Sequence, residues 1–248
     1  MLRALYISGT GMLTQMKHVD TIGNNISNAN TGGYKRDRSV SVSFEDMLLN
    51  RIRDGSGQKA IGPLNLGIHM DEVITVHEQG PMEYTGKSTD LSINGDGFFA
   101  VETQNGERYI RGGSFFVNDE GILVIGDGYR LMGENGPIRP GTDDFIVEPN
   151  GDVYVNNVYI DTLRMVSFQD LNLLAKEGNL LFQNTGADDN IAVFTGEVVQ
   201  GYLEGSNVDV TQELIQMMAS VRNYDSNQRI IRMLDDTLNK TVNEVGRV

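Results

Sequence analysis

The sequence has no cysteine, which excludes disulfides and thiolate-bound metal outright. Histidine is nearly as scarce. His18, His69 and His77 show no metal-ligand spacing with nearby carboxylates, so each reads as a solvated or packed side chain and no metal site is expected. No apolar run approaches the roughly 18 residues of a membrane span, so no membrane insertion is expected. Ser8, Thr10, Thr14, Gln15 and Lys17 interrupt any apolar stretch near the start, which therefore does not read as a cleavable secretory signal. Any export would use a route that reads no such signal. Basic residues are few: 20 Lys and Arg face 34 Asp and Glu, for a net charge of −14. That balance argues against a nucleic-acid partner, because phosphates need a basic footprint.

Catalytic patterns are missing too. Gly80-Pro-Met-Glu-Tyr-Thr-Gly86-Lys87-Ser88 approaches a phosphate-binding loop, but five residues separate its glycines where the motif has four. Leu91-Ser92-Ile93 then reads as a strand, so no helix aims its N-terminus at a phosphate. Gly95-Asp96-Gly97-Phe98-Phe99-Ala100 fits dinucleotide spacing on paper, and a hairpin explains it better. Asp143-Asp144, Asp188-Asp189 and Asp235-Asp236 are sequence neighbours, whose side chains share no face on a strand or a helix. No calcium-loop pattern and no nucleophile elbow occurs. The sequence predicts no catalytic residue, no metal and no cofactor.

What is present is organised by position. The 248 residues suffice for one large domain or two modest ones with a real core. Residues 1–53 carry 7 Lys/Arg and 4 Asp/Glu, residues 54–207 carry 8 and 24, and residues 208–248 carry 5 and 6. Near-neutral ends thus flank a strongly acidic middle. Such ends can pack on copies of themselves, while the middle stays solvated.

Val208 to Val245 contains neither proline nor glycine. Leu214, Val221, Gln228, Asp235 and Val242 share one heptad position, and Met217, Tyr224, Ile231, Leu238 and Val245 the other. A continuous helix of roughly 55 Å is expected at about 1.5 Å per residue, with the narrow seam of a coiled coil. Leu2 to Ile26 repeats the pattern with Leu5, Met12, Val19 and Ile26, beside Leu2, Gly9, Met16 and Gly23. The glycines weaken the helix by about 1 kcal/mol each and allow another helix to approach. A partner is expected to supply the missing stability.

Between the helices the pattern is β. The Asn- and Gly-rich run Gly23 to Arg36 stops the first helix and turns the chain. Ser39 to Phe44 alternates as a strand, Phe44 to Ile52 reads as a short helix, and Asp54 to Gly62 as a loop. Short strands follow, punctuated by Asn94-Gly95-Asp96-Gly97, Asn105-Gly106, Glu120-Gly121, Asp127-Gly128, Asn135-Gly136 and Asn150-Gly151. The expected fold class is α+β, with two long coiled-coil-forming terminal helices bracketing a central antiparallel β domain. Its expected parts are the N-terminal helix (1–33), an extended linker and β region (34–86), the β domain (87–199), and a return segment with the C-terminal helix (200–248).

Ala4-Leu5-Tyr6, Gly11-Met12, Asn24-Asn25-Ile26-Ser27-Asn28 and Thr31-Gly32-Gly33-Tyr34-Lys35-Arg36 are similar to the N-terminal signature of the family of axial rod and hook proteins of the bacterial flagellum. Gly95-Asp96-Gly97-Phe98-Phe99-Ala100-Val101 and Tyr109 to Phe115 look like its central motif, and Gln200 to Val208, including Glu204, Ser206 and Asn207, like its C-terminal one. Length and a single β domain resemble the rod proteins of the FlgG and FlgF type rather than the larger hook protein. Met1 to Leu5 and the segment after Tyr34 favour the distal rod.

The resemblance implies a non-enzymatic subunit of a tube, its terminal helices lining the inner wall and its β domain facing outward. Implied partners are further copies in a helical homopolymer, other rod proteins, the hook protein and the flagellar export apparatus. The expected assembly residues are Leu2, Leu5, Met12, Met16, Val19, Ile26, Leu214, Met217, Val221, Tyr224, Ile231 and Leu238. The expected family-motif residues are Asn24, Asn25, Asn28, Gly33, Tyr34, Lys35, Gly95, Gly97, Phe98, Phe99, Glu204, Ser206 and Asn207. Two other readings compete: a soluble coiled-coil adaptor carrying a β binding module, and a nucleotide-using enzyme built on the Gly80 to Ser88 loop.

Overall fold

The computed structural model describes residues 2–45, 47–53, 56–126, 128–178, 180–186 and 190–245. Asp188-Asp189 and Asp127 of the Asp127-Gly128 turn lie outside the described residues, as do the side chains of Leu2 and Val245. The chain divides into two compact units. One comprises Met1–Ile26, Asp37–Ile74 and Val210–Val248, the other Ser27–Arg36 and Thr75–Asp209.

The first unit contains helix α1 (Leu2–Ser27), strands β1 (Asp37–Ser43), β2 (Met47–Arg53), β3 (Ser56–Leu64) and β4 (Ile68–Thr75), and helix α2 (Val210–Lys240), which ends in a π turn, Thr241–Val245. Strand β1 pairs with β4, and β2 with β3 as an antiparallel hairpin. The short helix expected at Phe44 to Ile52 and the loop at Asp54 to Gly62 are therefore corrected. Two short segments paired to each other satisfy their backbone groups, whereas a helix of two turns is marginal in water.

The side of α1 that faces its own unit is small and polar. Ser8, Gly11, Thr14, Ile22 and Asn25 are buried, and Ala4, Gln15 and His18 are half-buried. Thr14 Oγ1 donates to the Ile68 carbonyl at 3.4 Å, and His18 Nδ1 bonds Ser39 Oγ. Burial lowers the His18 pKa below its usual 6.5, because the charged ring would lose hydration there. Asn25 clamps the start of β1: its Nδ2 donates to the Asp37 carbonyl at 2.8 Å and its Oδ1 accepts the Asp37 N–H at 2.9 Å.

These contacts overturn the expected coiled-coil fold class. The chain has one N-terminal and one C-terminal helix around a large β-rich region, and the fully buried side chains of the helices lie off the expected seams, whose Met12, Val19, Ile26, Met217, Tyr224 and Ile231 are half-buried. In α1 the covered positions, 4, 11, 18 and 25 with 8, 15 and 22, lie one residue away from the apolar repeat, on a side that hydrogen-bonds to strands. In α2 the only buried side chain among the described residues is Glu213. Its less exposed line runs through Met217, Ser220, Tyr224, Asn227, Ile231 and Leu234, leaving Leu214, Val221 and Leu238 exposed. Gly9 and Gly23, expected to admit another helix, have nothing within 4 Å of an added Cβ; the approached glycine is Gly11, where an added Cβ would lie 2.9 Å from Asn227 Nδ2.

The second unit contains β5 (Met82–Tyr84), β6 (Asp90–Asn94), β7 (Phe98–Thr103), β8 (Gly106–Ile110), β9 (Gly112–Val117), β10 (Leu123–Ile125), β11 (Tyr129–Leu131) and β12 (Ile146–Val147). It continues with β13 (Asp152–Val155), β14 (Val158–Thr162), β15 (Met165–Phe168), β16 (Leu174–Glu177), β17 (Leu181–Asn184), β18 (Ile191–Ala192), β19 (Glu197–Gln200) and β20 (Tyr202–Glu204). An eleven-stranded sheet runs β16-β17-β8-β7-β11-β10-β9-β6-β19, with β15 also on β7 and β18 on β15. Strands β12, β13 and β14 form a separate three-stranded sheet, and β20 pairs with β5.

Strand β7 explains why its sequence is apolar at successive positions. Phe99 and Val101 enter one core cluster with Leu91, Ile93, Ile110 and Phe115, while Phe98 and Ala100 enter a second with Tyr109, Phe168 and Phe182. A strand buried on both faces loses the polar alternation of a half-exposed one.

Candidate functional site

Three distant stretches converge inside the second unit on one carboxylate. Glu204, at the end of β20, is 1 % exposed. Its Oε1 accepts from Lys35 Nζ at 2.5 Å and from the Gly80 N–H at 2.8 Å, and its Oε2 from Arg111 Nε at 2.8 Å. Its carbonyl accepts the Gly33 N–H at 2.7 Å. Lys35, also 1 % exposed, donates to the Glu78 carbonyl at 2.6 Å. Arg111 caps the turn between β6 and β7, donating to the Gly97 carbonyl at 2.6 Å and to the Gly95 carbonyl. Burial pushes the Lys35 pKa below 10.5, and the adjacent Glu204 carboxylate pulls it back up.

The node places most of the expected motif residues in one neighbourhood. Gly33 takes a φ of +74°, open to glycine at no steric cost, and a Cβ there would lie 3.1 Å from the Gly112 carbonyl oxygen. Tyr34 is buried under Lys176, whose Nζ sits 3.7 Å from the ring centroid and donates to the Lys35 carbonyl at 2.8 Å. Asn207 joins two segments: its Oδ1 accepts the Arg36 N–H at 2.7 Å and its Nδ2 donates to the Val76 carbonyl at 2.8 Å. Ser206 Oγ accepts the Val208 N–H at 3.3 Å, and Asn28 Oδ1 accepts from Thr31 Oγ1 at 3.3 Å. Phe98 and Phe99 anchor the central motif in the two clusters. Asn24 and Asn25 belong instead to the first unit, where Asn25 Nδ2 also reaches Glu213 Oε2 at 3.2 Å.

Four contributors were not named as site residues from the sequence: Arg111, inside the family-like Tyr109 to Phe115 stretch, Gly80, which opens the stretch weighed as a phosphate loop, Lys176 and Glu213. Arg111 had a signal, a lone cation between Ile110 and Gly112 in an apolar run. The Gly80 to Ser88 stretch makes no phosphate cradle; the Gly80 N–H is spent on Glu204.

The second candidate feature lies in the first unit, where the apolar sides of the two helices are open. Met16 is 48 % exposed, and Leu5 and Leu13 are exposed with it. Together with Tyr6, Met12 and Tyr224 they line an apolar recess of about 460 Å³. On α2, Leu214 and Val221 are 46 % and 44 % exposed, and Ile215, Met218 and Met233 are also open. Val19, Ile26, Met217 and Ile231 are half-buried. Exposed apolar side chains contiguous on a helix mark an interaction surface. Among the described residues no group of three or more His, Asp and Glu could hold a metal ion, and no helix is long and apolar enough to cross a membrane.

Comparison with known proteins identifies the family. Residues 5–35 match the flagella basal body rod protein family, residues 92–155 the flagellar hook protein FlgE/F/G D1 domain, and residues 199–244 the flagellar basal body rod FlgEFG protein C-terminal family. Each matched stretch contributes to the Glu204 node. Similar proteins include the flagellar basal-body rod protein FlgG of Bacillus subtilis (36 % identical, covering 98 % of this chain and 99 % of that protein). The flagellar basal-body rod protein FlgF of Caulobacter vibrioides is 32 % identical, over 99 % and 97 %. The flagellar hook-basal body complex protein FlhO of Bacillus subtilis is 30 % identical, over 100 % of both.

These matches define a structural protein of the flagellar axis. The chain belongs to the family of flagellar basal-body rod proteins and is a structural subunit of the rod, located in the basal body, where it assembles with other rod and hook components.

Proposed function

We propose that this rod subunit polymerises with copies of itself through the open apolar faces of α1 and α2, and that its role is mechanical rather than enzymatic. The observation that carries the reading is the inverted packing of α1. Its small, polar side is buried in its own unit while Leu5, Leu13 and Met16 stay exposed. A helix that leaves its apolar side in water gains its remaining stability by burying that side against another molecule, at about 25 cal/mol per Å². The near-neutral ends and acidic middle suit this division, since the ends can meet like surfaces and the middle remains solvated.

The resemblance of Met1 to Leu5 and of the segment after Tyr34 supports a place in the distal rod. Export through the flagellar apparatus belongs to the same reading. The assembly residues of this reading are the apolar side chains of α1 and α2 named above.

The double variant Leu214→Asp/Val221→Asp tests the reading. Both positions are exposed in the isolated chain, so the β unit should keep its fold by circular dichroism while light scattering at rising concentration shows no growth of long assemblies. A variant that still forms tubes contradicts the proposal. Wild-type protein that stops at a discrete small oligomer favours an adaptor instead.

A further inference from the structure

The three-stranded sheet of the second unit turns an aromatic, anionic face to solvent. Cross-strand register puts Ile146 opposite Tyr154 and Tyr154 opposite Tyr159, so one row crosses all three strands. On the other side Val147, Val153 and Asp161 are buried. Alternation along β12 and β13 puts Ile146, Glu148, Asp152 and Tyr154 on the outer face. Their partners Tyr159 and Thr162 join them because the β13–β14 register shifts between Val153 and Tyr154, a bulge that leaves Asp161 on the buried side. Ile146 is 57 % and Tyr159 48 % exposed. Strand β14 pairs only with β13 within this sheet, and Val158 beside the row is exposed as well.

The face is held in place. The Tyr154 and Tyr159 rings meet edge to face at 5.8 Å. The Tyr159 hydroxyl lies 2.9 Å from Thr162 Oγ1, which donates to Asp152 Oδ1, while Asn150 Nδ2 donates to Asp152 Oδ2 at 2.7 Å. Asn156 and Asn157 both take positive φ, +50° and +64°, giving the tight turn that fixes the β13–β14 register.

Its charge is one-sided. Between Arg139 and Arg164 the chain holds four carboxylates besides the buried Asp161, namely Asp143, Asp144, Glu148 and Asp152, and neither lysine nor arginine. Tyrosines beside carboxylates, with no cation in the same stretch, suit a guanidinium that stacks on the ring and pairs with the acid. We infer that this face docks an arginine-bearing, partly apolar surface of a different protein. The same sheet of a second copy would bring carboxylate to carboxylate. The arginines of α2 lie on the helix used for assembly in the proposed function, so the exclusion of a second copy rests on that reading.

The full-length chain, kept dilute and unassembled, tests this with two synthetic peptides, Arg-Trp-Arg-Ile-Arg and Glu-Trp-Glu-Ile-Glu. The chain has no tryptophan, so the peptide indole reports binding selectively. The arginine peptide should bind and shift the ring resonances of Tyr154 and Tyr159, and the glutamate peptide should not. Tyr154→Ser/Tyr159→Ser and, separately, Asp152→Asn should weaken binding by about tenfold. Equal binding of both peptides, or binding indifferent to the tyrosine pair, overturns the inference. Concentration-dependent self-association abolished by Tyr159→Ser also overturns it, in favour of a second copy. Since no step requires rod assembly, failure here is distinguishable from failure of the polymer reading.

Discussion

Glu204→Gln is expected to destabilise the second unit by about 3–5 kcal/mol, because it leaves two buried cations without their anion. Lys35 and Arg111 both approach the Glu204 carboxylate, and all three side chains are almost wholly buried. The glutamine keeps one acceptor oxygen, but its NH₂ must face either the lysine and the Gly80 N–H or the arginine, donor against donor. Removing a cation as well should recover part of the loss. Lys35→Met combined with Glu204→Gln is expected to be clearly less destabilising than the sum of the single changes, since the two residues act as one unit. Urea unfolding followed by tyrosine fluorescence checks both statements. Additive effects would mean that the two residues are energetically independent, against the geometry.

Gly80→Ala is expected to cost about 2–3 kcal/mol or more although it adds only a methyl group. A Cβ at residue 80 would lie 2.1 Å from the Gly205 carbonyl oxygen and 3.0 Å from its carbon. Both are backbone atoms, which cannot rotate aside as a side chain would. Moving the backbone at Gly205 also displaces the adjacent Glu204, and the Gly80 N–H is one of that carboxylate's donors. The substitution therefore strikes the node twice. The same unfolding experiment measures it, and a loss below about 0.5 kcal/mol would show that Gly205 yields easily.

How much of this was legible beforehand differs by element. Both helices were visible from apolar periodicity and from the lack of breakers between Val208 and Val245. Their partners were not, because a heptad pattern records which side is apolar and not which side the fold covers. In α1 the covered side is marked by Ser8, Gly11, Thr14 and Asn25, residues that hydrophobic periodicity ignores. The Asn-Gly turns announced hairpins, yet β2 and β3 read as helix and loop since short segments carry too little pattern to separate the two. Gly33, Lys35, Gly95, Gly97 and Glu204 were singled out as motif residues. That they meet depends on pairings across more than a hundred residues, such as Lys35 with Glu204, which no local spacing encodes.

The central claim is that the open apolar faces of α1 and α2 are the assembly surfaces of this rod subunit. The absence of cysteine makes a direct measurement simple. Met16→Cys and Leu214→Cys, each prepared separately, would be labelled with a maleimide in the isolated chain and again after assembly. The account predicts fast labelling of both in the isolated chain, where both side chains are exposed, and strong protection of both in the assembled rod. Labelling of the assembled protein at the same rate as the isolated chain would contradict it.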